Sequence, residues 1–145
     1  MKVLFVCTGN ICRSPMAEVI FKNLSIKHGS KITVHGAGTH ADVASPMMEN
    51  AANALRHFGE KNTRQQKGAK QFVFKMLREY DWIICMTREH KRFIGEHPNV
   101  KTLDEFSGCG DVFDPWGYSL ETYAEVCKQL QVALGALYHT IVGRS

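Results

Sequence analysis

The stretch that most constrains this 145-residue chain is its beginning. The apolar run Val3-Leu4-Phe5-Val6 meets Cys7-Thr8-Gly9-Asn10-Ile11-Cys12-Arg13-Ser14, and Pro15-Met16-Ala17-Glu18 follows at once. A run of that kind reads as a strand covered on both faces. Ser14 as N-cap with Pro15 at the first helical position reads as a helix start. Only a short loop then separates strand from helix. Its N–H groups and those of the first helical turn have no intrahelical partners, and the helix dipole adds partial positive charge at the same place. Such a loop binds an oxyanion.

The rest of the chain repeats the alternation. Met16, Ala17, Ile20, Phe21 and Leu24 form one helical face that ends near His28-Gly29. Lys31 to His35 reads as a second strand, with Gly36-Ala37-Gly38-Thr39 carrying it into a loop. Ser45-Pro46 predicts another capped helix, with Met47, Ala51, Leu55 and Phe58 on one face and its end at Gly59. Lys61 to Ala69 is a polar connection, and Phe72, Val73, Met76 and Leu77 mark a short amphipathic helix. Asp81 to Met86 reads as a third strand, followed by a helix capped by Thr87 and broken at His97-Pro98. Val100 to Leu103 reads as a fourth strand, Ser107 to Gly117 as a long acidic loop, and Leu120 to Ile141 as a final helix. Strands alternating with helices predict one α/β domain over residues 1–145, a doubly wound parallel sheet with helices on both faces. In such sheets ligands bind at the carboxyl ends of strands, where the strand order reverses.

The residues of the first loop suit phosphoryl chemistry. Cys7 lies where loop N–H groups, a helix N-terminus and a guanidinium all favour a nucleophilic thiolate. Arg13 offers a planar fork for two phosphoryl oxygens, and Ser14 is placed to hydrogen-bond the sulfur. An acid is then needed for the leaving group. Asp114, before Pro115 and Trp116, is the candidate: Asp104, Glu105 and Asp111 nearby and burial by Trp116 are expected to favour its protonated form. An Asx turn before a proline is the plain alternative for that residue.

These residues resemble the low-molecular-weight protein tyrosine phosphatase family, whose signature runs Cys-x5-Arg-Ser-Pro near the start of the chain and ends in an Asp-Pro loop. The similarity runs from Val3 to the last helix. It implies a four-stranded parallel sheet and metal-free, cofactor-free two-step hydrolysis. Cys7 would carry a thiophosphoryl intermediate, and residues Thr8, Gly9, Asn10, Ile11, Cys12, Arg13 and Ser14 would bind the phosphate, with Asn10 bracing the loop. Asp114 would protonate the leaving group and then activate water.

Thr8 in place of the usual Leu, Thr87 after Met86 where Asp is common, and Gly117 in place of a second aromatic look like the bacterial protein-arginine phosphatase branch of that family. Ile11 does not. That branch carries Thr there, whereas Ile gives an apolar wall suited to a phenyl ring. Trp116, the other specificity residue, can stack on a ring or on a cation. The expectation is therefore phosphotyrosine first and phosphoarginine second. Arsenate reductase chemistry would need a cysteine relay, and Cys85, Cys109 and Cys127 contain no close pair. A phosphate-binding module without catalysis would have no use for Cys7 or Asp114.

Charge and cysteine usage limit the partners. The formal net charge is +4, and seven basic residues between Arg56 and Arg78 face six acids between Thr102 and Cys127. The basic segment reads as a solvated face rather than a nucleic-acid site, since no nucleic-acid motif accompanies it. Five cysteines at irregular positions do not make a secreted disulfide framework. With no leader-like or membrane-spanning run, the expectation is a cytoplasmic monomer acting on phosphorylated proteins or peptides and releasing inorganic phosphate. Glu89-His90 and Glu96-His97 read as an exposed helix face, not a metal site. Cys12 is a candidate redox partner that would protect Cys7 as a disulfide.

Overall fold

The computed structural model describes residues 1–143. Its elements run β1 (Lys2–Cys7), α1 (Arg13–Lys27), β2 (Thr33–Gly38), α2 (Glu49–His57), α3 (Met76–Glu79), β3 (Trp82–Cys85), α4 (Arg88–Ile94), β4 (Val100–Thr102), α5 (Asp104–Ser107) and α6 (Leu120–Ile141). Among the described residues the four strands form one parallel sheet in the order β2-β1-β3-β4. The chain leaves β1 toward β2 on one side and later crosses to β3 on the other. The carboxyl end of β1 is therefore the switch point, and Cys7 is its last residue.

β1 is apolar throughout because it is covered twice. Val3 and Phe5 face a core built with α1, α2 and α6, where Phe5 meets Phe21 edge-on at 5.4 Å. Leu4 and Val6 face a second core with Phe72, Ile83, Ile94 and Val100, against which Met76 and Leu77 pack. α6 presents Tyr123, Cys127, Leu130, Leu134 and Leu137 to the first core. Removing a buried ring such as Phe5 from a core of this kind costs about 3–5 kcal/mol. No helix among the described residues is long and apolar enough to cross a membrane.

The structure corrects several element boundaries. α1 begins at Arg13, with Cys12 at the N-cap and no side-chain cap, so Ser14 does not cap it. The Ser14 hydroxyl is occupied instead by Cys7 and Asn10. Ser45-Pro46 starts no helix either, because α2 begins at Glu49. That segment is held extended by loop contacts: Ala69 N donates to Ser45 O at 2.8 Å and Met48 N to Ile11 O at 2.9 Å. The short helix expected from Phe72, Val73, Met76 and Leu77 is instead Met76–Glu79, so Phe72 and Val73 lie outside it. α4 ends at Gly95, whose φ of 100° stops it before His97.

β2 is the most informative difference, since it runs through Gly36 and Gly38 instead of ending at His35. A Cβ on Gly38 would lie 2.4 Å from Thr8 O, and one on Gly36 would lie 2.7 Å from both Asn10 Nδ2 and Glu18 Oε2. The two glycines let the strand pass directly beneath the loop that follows β1.

Candidate active site

The carbonyls of Cys7, Thr8, Asn10, Ile11 and Cys12 are taken up by the segments around the loop. Thr39 N donates to Cys7 O at 2.9 Å, His40 N to Thr8 O at 2.9 Å, Met48 N to Ile11 O at 2.9 Å and Met16 N to Cys12 O at 3.1 Å. Gln66 Nε2 donates to Asn10 O at 2.7 Å. These acceptors are engaged by the surrounding segments, which leaves the loop N–H groups for an anion. Asn10 N donates to Cys7 Sγ at 3.3 Å, while among the described residues the N–H groups of Gly9, Ile11 and Cys12 have no protein acceptor. A ring of donors around a sulfur is an anion nest.

Asn10 closes the turn. It is buried, holds a left-handed φ of 56°, and donates from Nδ2 to Ser14 Oγ at 2.7 Å while Oδ1 accepts from Lys70 N at 3.1 Å. Asn tolerates this conformation better than most residues. Ser14 Oγ lies 3.0 Å from Cys7 Sγ, so Asn10 and Ser14 together fix the sulfur from below.

Arg13 is 5% exposed. Nη1 donates to Val112 O at 3.1 Å and Nη2 to Thr8 Oγ1 at 3.2 Å, and Nη2 lies 3.6 Å from Asp114 Oδ2. Val112 N in turn donates to Met86 O at 3.0 Å, anchoring the acidic loop at the end of β3. That loop brings Asp114 and Trp116 over the nest. A cavity of about 270 Å³ results, lined by Cys7, Thr8, Gly9, Ile11, Cys12, Arg13, Asp114 and Trp116. The sequence-predicted residues are thus gathered at one place, with Asn10 and Ser14 supporting them from behind.

The surroundings of Asp114 differ from expectation. Trp116 is 61% exposed and does not bury it, and the Asp114 side chain is itself largely exposed. The neighbouring acids are engaged elsewhere: Asp104 accepts from Gly110 N, Glu105 pairs with Lys91, and Asp111 accepts from Arg88 N. Arg13 is the charge beside Asp114. Trp116 N donates to Asp114 Oδ1 at 3.2 Å, so the Asx-turn geometry is present as well.

Cys12 is buried with Sγ 3.3 Å from Tyr123 Oη. Burial pushes its thiol up to about 11, and it pushes Cys85 and Cys127 up to about 12. Cys85 and Cys127 sit in the two cores.

The structure places His90 differently from expectation. His90 is not on an exposed face; it is buried, is N3 of α4 in a capping box with Thr87, and lies 2.9 Å from Thr8 Oγ1 through Nε2. Burial, reinforced by Arg13, pushes it down to about 4. The signal was the Thr87-x-x-His90 spacing, which resembles a capping box although His is not its usual partner.

A larger cavity of about 320 Å³ lies behind the loop and includes Asn10, Glu18, Lys67 and Lys70 but not Cys7. Glu18 is buried there with Oε2 unpartnered among the described residues. Burial pushes its carboxyl up to about 8, against the opposing pull of Lys70.

A strand ending in cysteine, a donor nest, a buried arginine and an Asp-Pro loop thus meet at one cavity. Residues 2–144 match the family described as low molecular weight phosphotyrosine protein phosphatase. The chain belongs to that family. Two curated relatives of this phosphatase are a protein-arginine-phosphatase of Bacillus subtilis and the low molecular weight protein-tyrosine-phosphatase PtpB of Staphylococcus haemolyticus. The first is 33% identical over 94% of each chain, and the second is 36% identical over 94% of this chain and 97% of its own. A solved structure of the YwlE arginine phosphatase, a Cys-to-Ser mutant with a phosphorylated active site serine, superposes with a TM-score of 0.88. It is 30% identical and covers 98% of this phosphatase and 96% of that chain.

Proposed function

We propose that this phosphatase hydrolyses phosphotyrosine in proteins or peptides, as a cytoplasmic monomer, through a cysteinyl-phosphate intermediate on Cys7. The Cys7 thiolate attacks phosphorus in line with the leaving oxygen, forming the S–P bond as the P–O bond breaks. The loop N–H groups and Arg13 take up the charge on the equatorial oxygens. Asp114 gives its proton to the departing phenolate. In the second step Asp114 takes a proton from water as that water attacks phosphorus; the S–P bond breaks, the thiolate returns, and inorganic phosphate leaves. The phosphorylated serine in the YwlE mutant supports covalent transfer to this position of the loop. No step needs a metal or cofactor, so full activity in EDTA is expected.

The observation that carries the choice of substrate is the pair of apolar walls, Ile11 and Trp116, lining the cavity above Cys7. A phenyl ring entering between them stays in contact with apolar surface while its phosphate reaches the nest. Phosphoarginine is the second reading, favoured by the similarity to arginine phosphatases. A guanidinium needs acceptors, and Asp114 is the one carboxylate lining this cavity among the described residues. Matched phosphotyrosine and phosphoarginine peptides separate the two. Wild type should favour phosphotyrosine in kcat/KM, and Ile11→Thr should move the ratio toward phosphoarginine. A wild-type preference for phosphoarginine overturns the first reading.

A further inference from the structure

The hydrogen bonds around Thr8 have a defined direction. Thr87 N donates to His90 Nδ1 at 3.2 Å, and Thr87 Oγ1 lies 3.0 Å from the same nitrogen. A backbone N–H cannot accept, so this contact assigns Nδ1 as the acceptor. His90 is held neutral by burial and by Arg13, against the smaller opposite pull of Asp111 and Asp114, and His40 adds to the lowering. Its one ring proton is therefore on Nε2. The 2.9 Å contact to Thr8 is then Nε2–H donating to Oγ1. Arg13 Nη2 donates to the same oxygen at 3.2 Å.

A hydroxyl oxygen has two acceptor positions and one proton. Both acceptor positions of Thr8 are filled from the protein side. Its backbone is also fixed, because His40 N holds Thr8 O at 2.9 Å. Thr8 is exposed and lines the cavity that contains Cys7 and Asp114.

We infer that His90 is a positioning residue: by filling, with Arg13, the acceptor positions of Thr8, it makes the Thr8 hydroxyl a dedicated hydrogen-bond donor to an anionic oxygen of the phosphoryl group held in the loop. This rests on the phosphatase reading above and extends it to a side-chain donor beyond the loop amides and Arg13. The chain Thr87, His90, Thr8 also ties the N-terminus of α4 to the nest, so that the loops following β1 and β3 present the phosphate with one hydrogen-bonded network.

Two substitutions separate positioning from capping. Asn reaches about as far as the imidazole Nδ1, so His90→Asn keeps an acceptor for Thr87 N but loses the donor to Thr8. Gln reaches about as far as Nε2, so His90→Gln keeps the donor and gives up the cap. The readout is the inhibition constant of inorganic phosphate in p-nitrophenyl phosphate hydrolysis, with thermal melting run in parallel. A lost hydrogen bond to a charged group should raise that constant about tenfold in Thr8→Val and in His90→Asn. The double variant should be no worse than either single one, and Thr8→Ser and His90→Gln should restore phosphate binding, the latter even where its melting temperature is lower. A merely structural His90 gives the opposite ranking, with Asn tolerated and Gln impaired.

An unchanged phosphate constant in His90→Asn, or additive effects in the double variant, overturns the inference. Should His90→Asn fail to fold, Thr8→Val against Thr8→Ser decides: equal phosphate constants overturn it. In those cases wild type still hydrolyses p-nitrophenyl phosphate and the phosphatase reading stands. An inactive wild type removes both.

Discussion

Asn10 is where backbone strain, loop geometry and the proposed nucleophile Cys7 meet, and its replacement tests them together. Asn10→Ala removes the Nδ2 bond to Ser14 Oγ and leaves Lys70 N without its acceptor. Two such bonds contribute about 1 kcal/mol each. Ala must also hold a φ of 56°, which costs an L-residue of this kind roughly 1–2 kcal/mol. The sum is about 3–4 kcal/mol. Asn10→Gly loses the same two bonds but not the conformational strain, so its deficit should be smaller than that of Ala by about 1 kcal/mol, even after the entropy cost of glycine in the unfolded chain. Urea denaturation at neutral pH measures the ranking, and p-nitrophenyl phosphate turnover should fall in both variants because Ser14 and the sulfur lose their support. A Gly variant as unstable as the Ala variant, or an Ala variant within about 0.5 kcal/mol of wild type, refutes this account of the loop.

Two further outcomes follow from buried groups. Glu18 is held protonated, with its carboxyl raised from 4.5 to about 8. A raised carboxyl favours folding most below its unfolded value, and that stability is lost as pH rises from about 4.5 through about 8, by at most roughly 5 kcal/mol. Glu18→Gln, neutral throughout, should match wild type near pH 4.5 and exceed its stability near pH 8. The same downward slope in the Gln variant would remove Glu18 as the cause. Cys12 lines the cavity with Cys7, and Cys12→Ser should regain less activity than wild type after peroxide followed by thiol. Equal recovery would end the proposed redox protection.

The fold was legible where a local pattern and the tertiary demand coincided. Val3 to Val6 reads as a doubly covered strand because two cores do cover it, and the stripe of α6 reads as a core face because it packs on one. The pattern misled where a residue was taken for tertiary duty. Ser14 and Ser45 precede prolines in a helix-start pattern, yet one supports the sulfur and the other accepts from Ala69 N. Gly36 and Gly38 read as loop because glycine weakens strands, whereas here the loop backbone lies against Gly38 and the Asn10 and Glu18 side chains lie against Gly36 where a Cβ would stand. That Cys7, Arg13 and Asp114 come together at one cavity was legible from spacing and resemblance. The inward turn of His90 was not, because its one signal, the Thr87-x-x-His90 spacing, is a capping box with an unusual partner and carries no information about Thr8. The exposure of Asp114 was equally hidden, since acids close in sequence were drawn off to Gly110, Lys91 and Arg88 by contacts that only the folded chain makes.

The central claim is that the nucleophile is the sulfur in the middle of the donor nest. Its most direct test is an acid quench during turnover of a phosphotyrosine peptide, followed by mass spectrometry of the N-terminal fragment. One phosphoryl group on Cys7 is expected during turnover, with no peptide hydrolysis by Cys7→Ser. Rapid hydrolysis with no adduct under conditions that preserve thiophosphate, or turnover that survives Cys7→Ser, would contradict it.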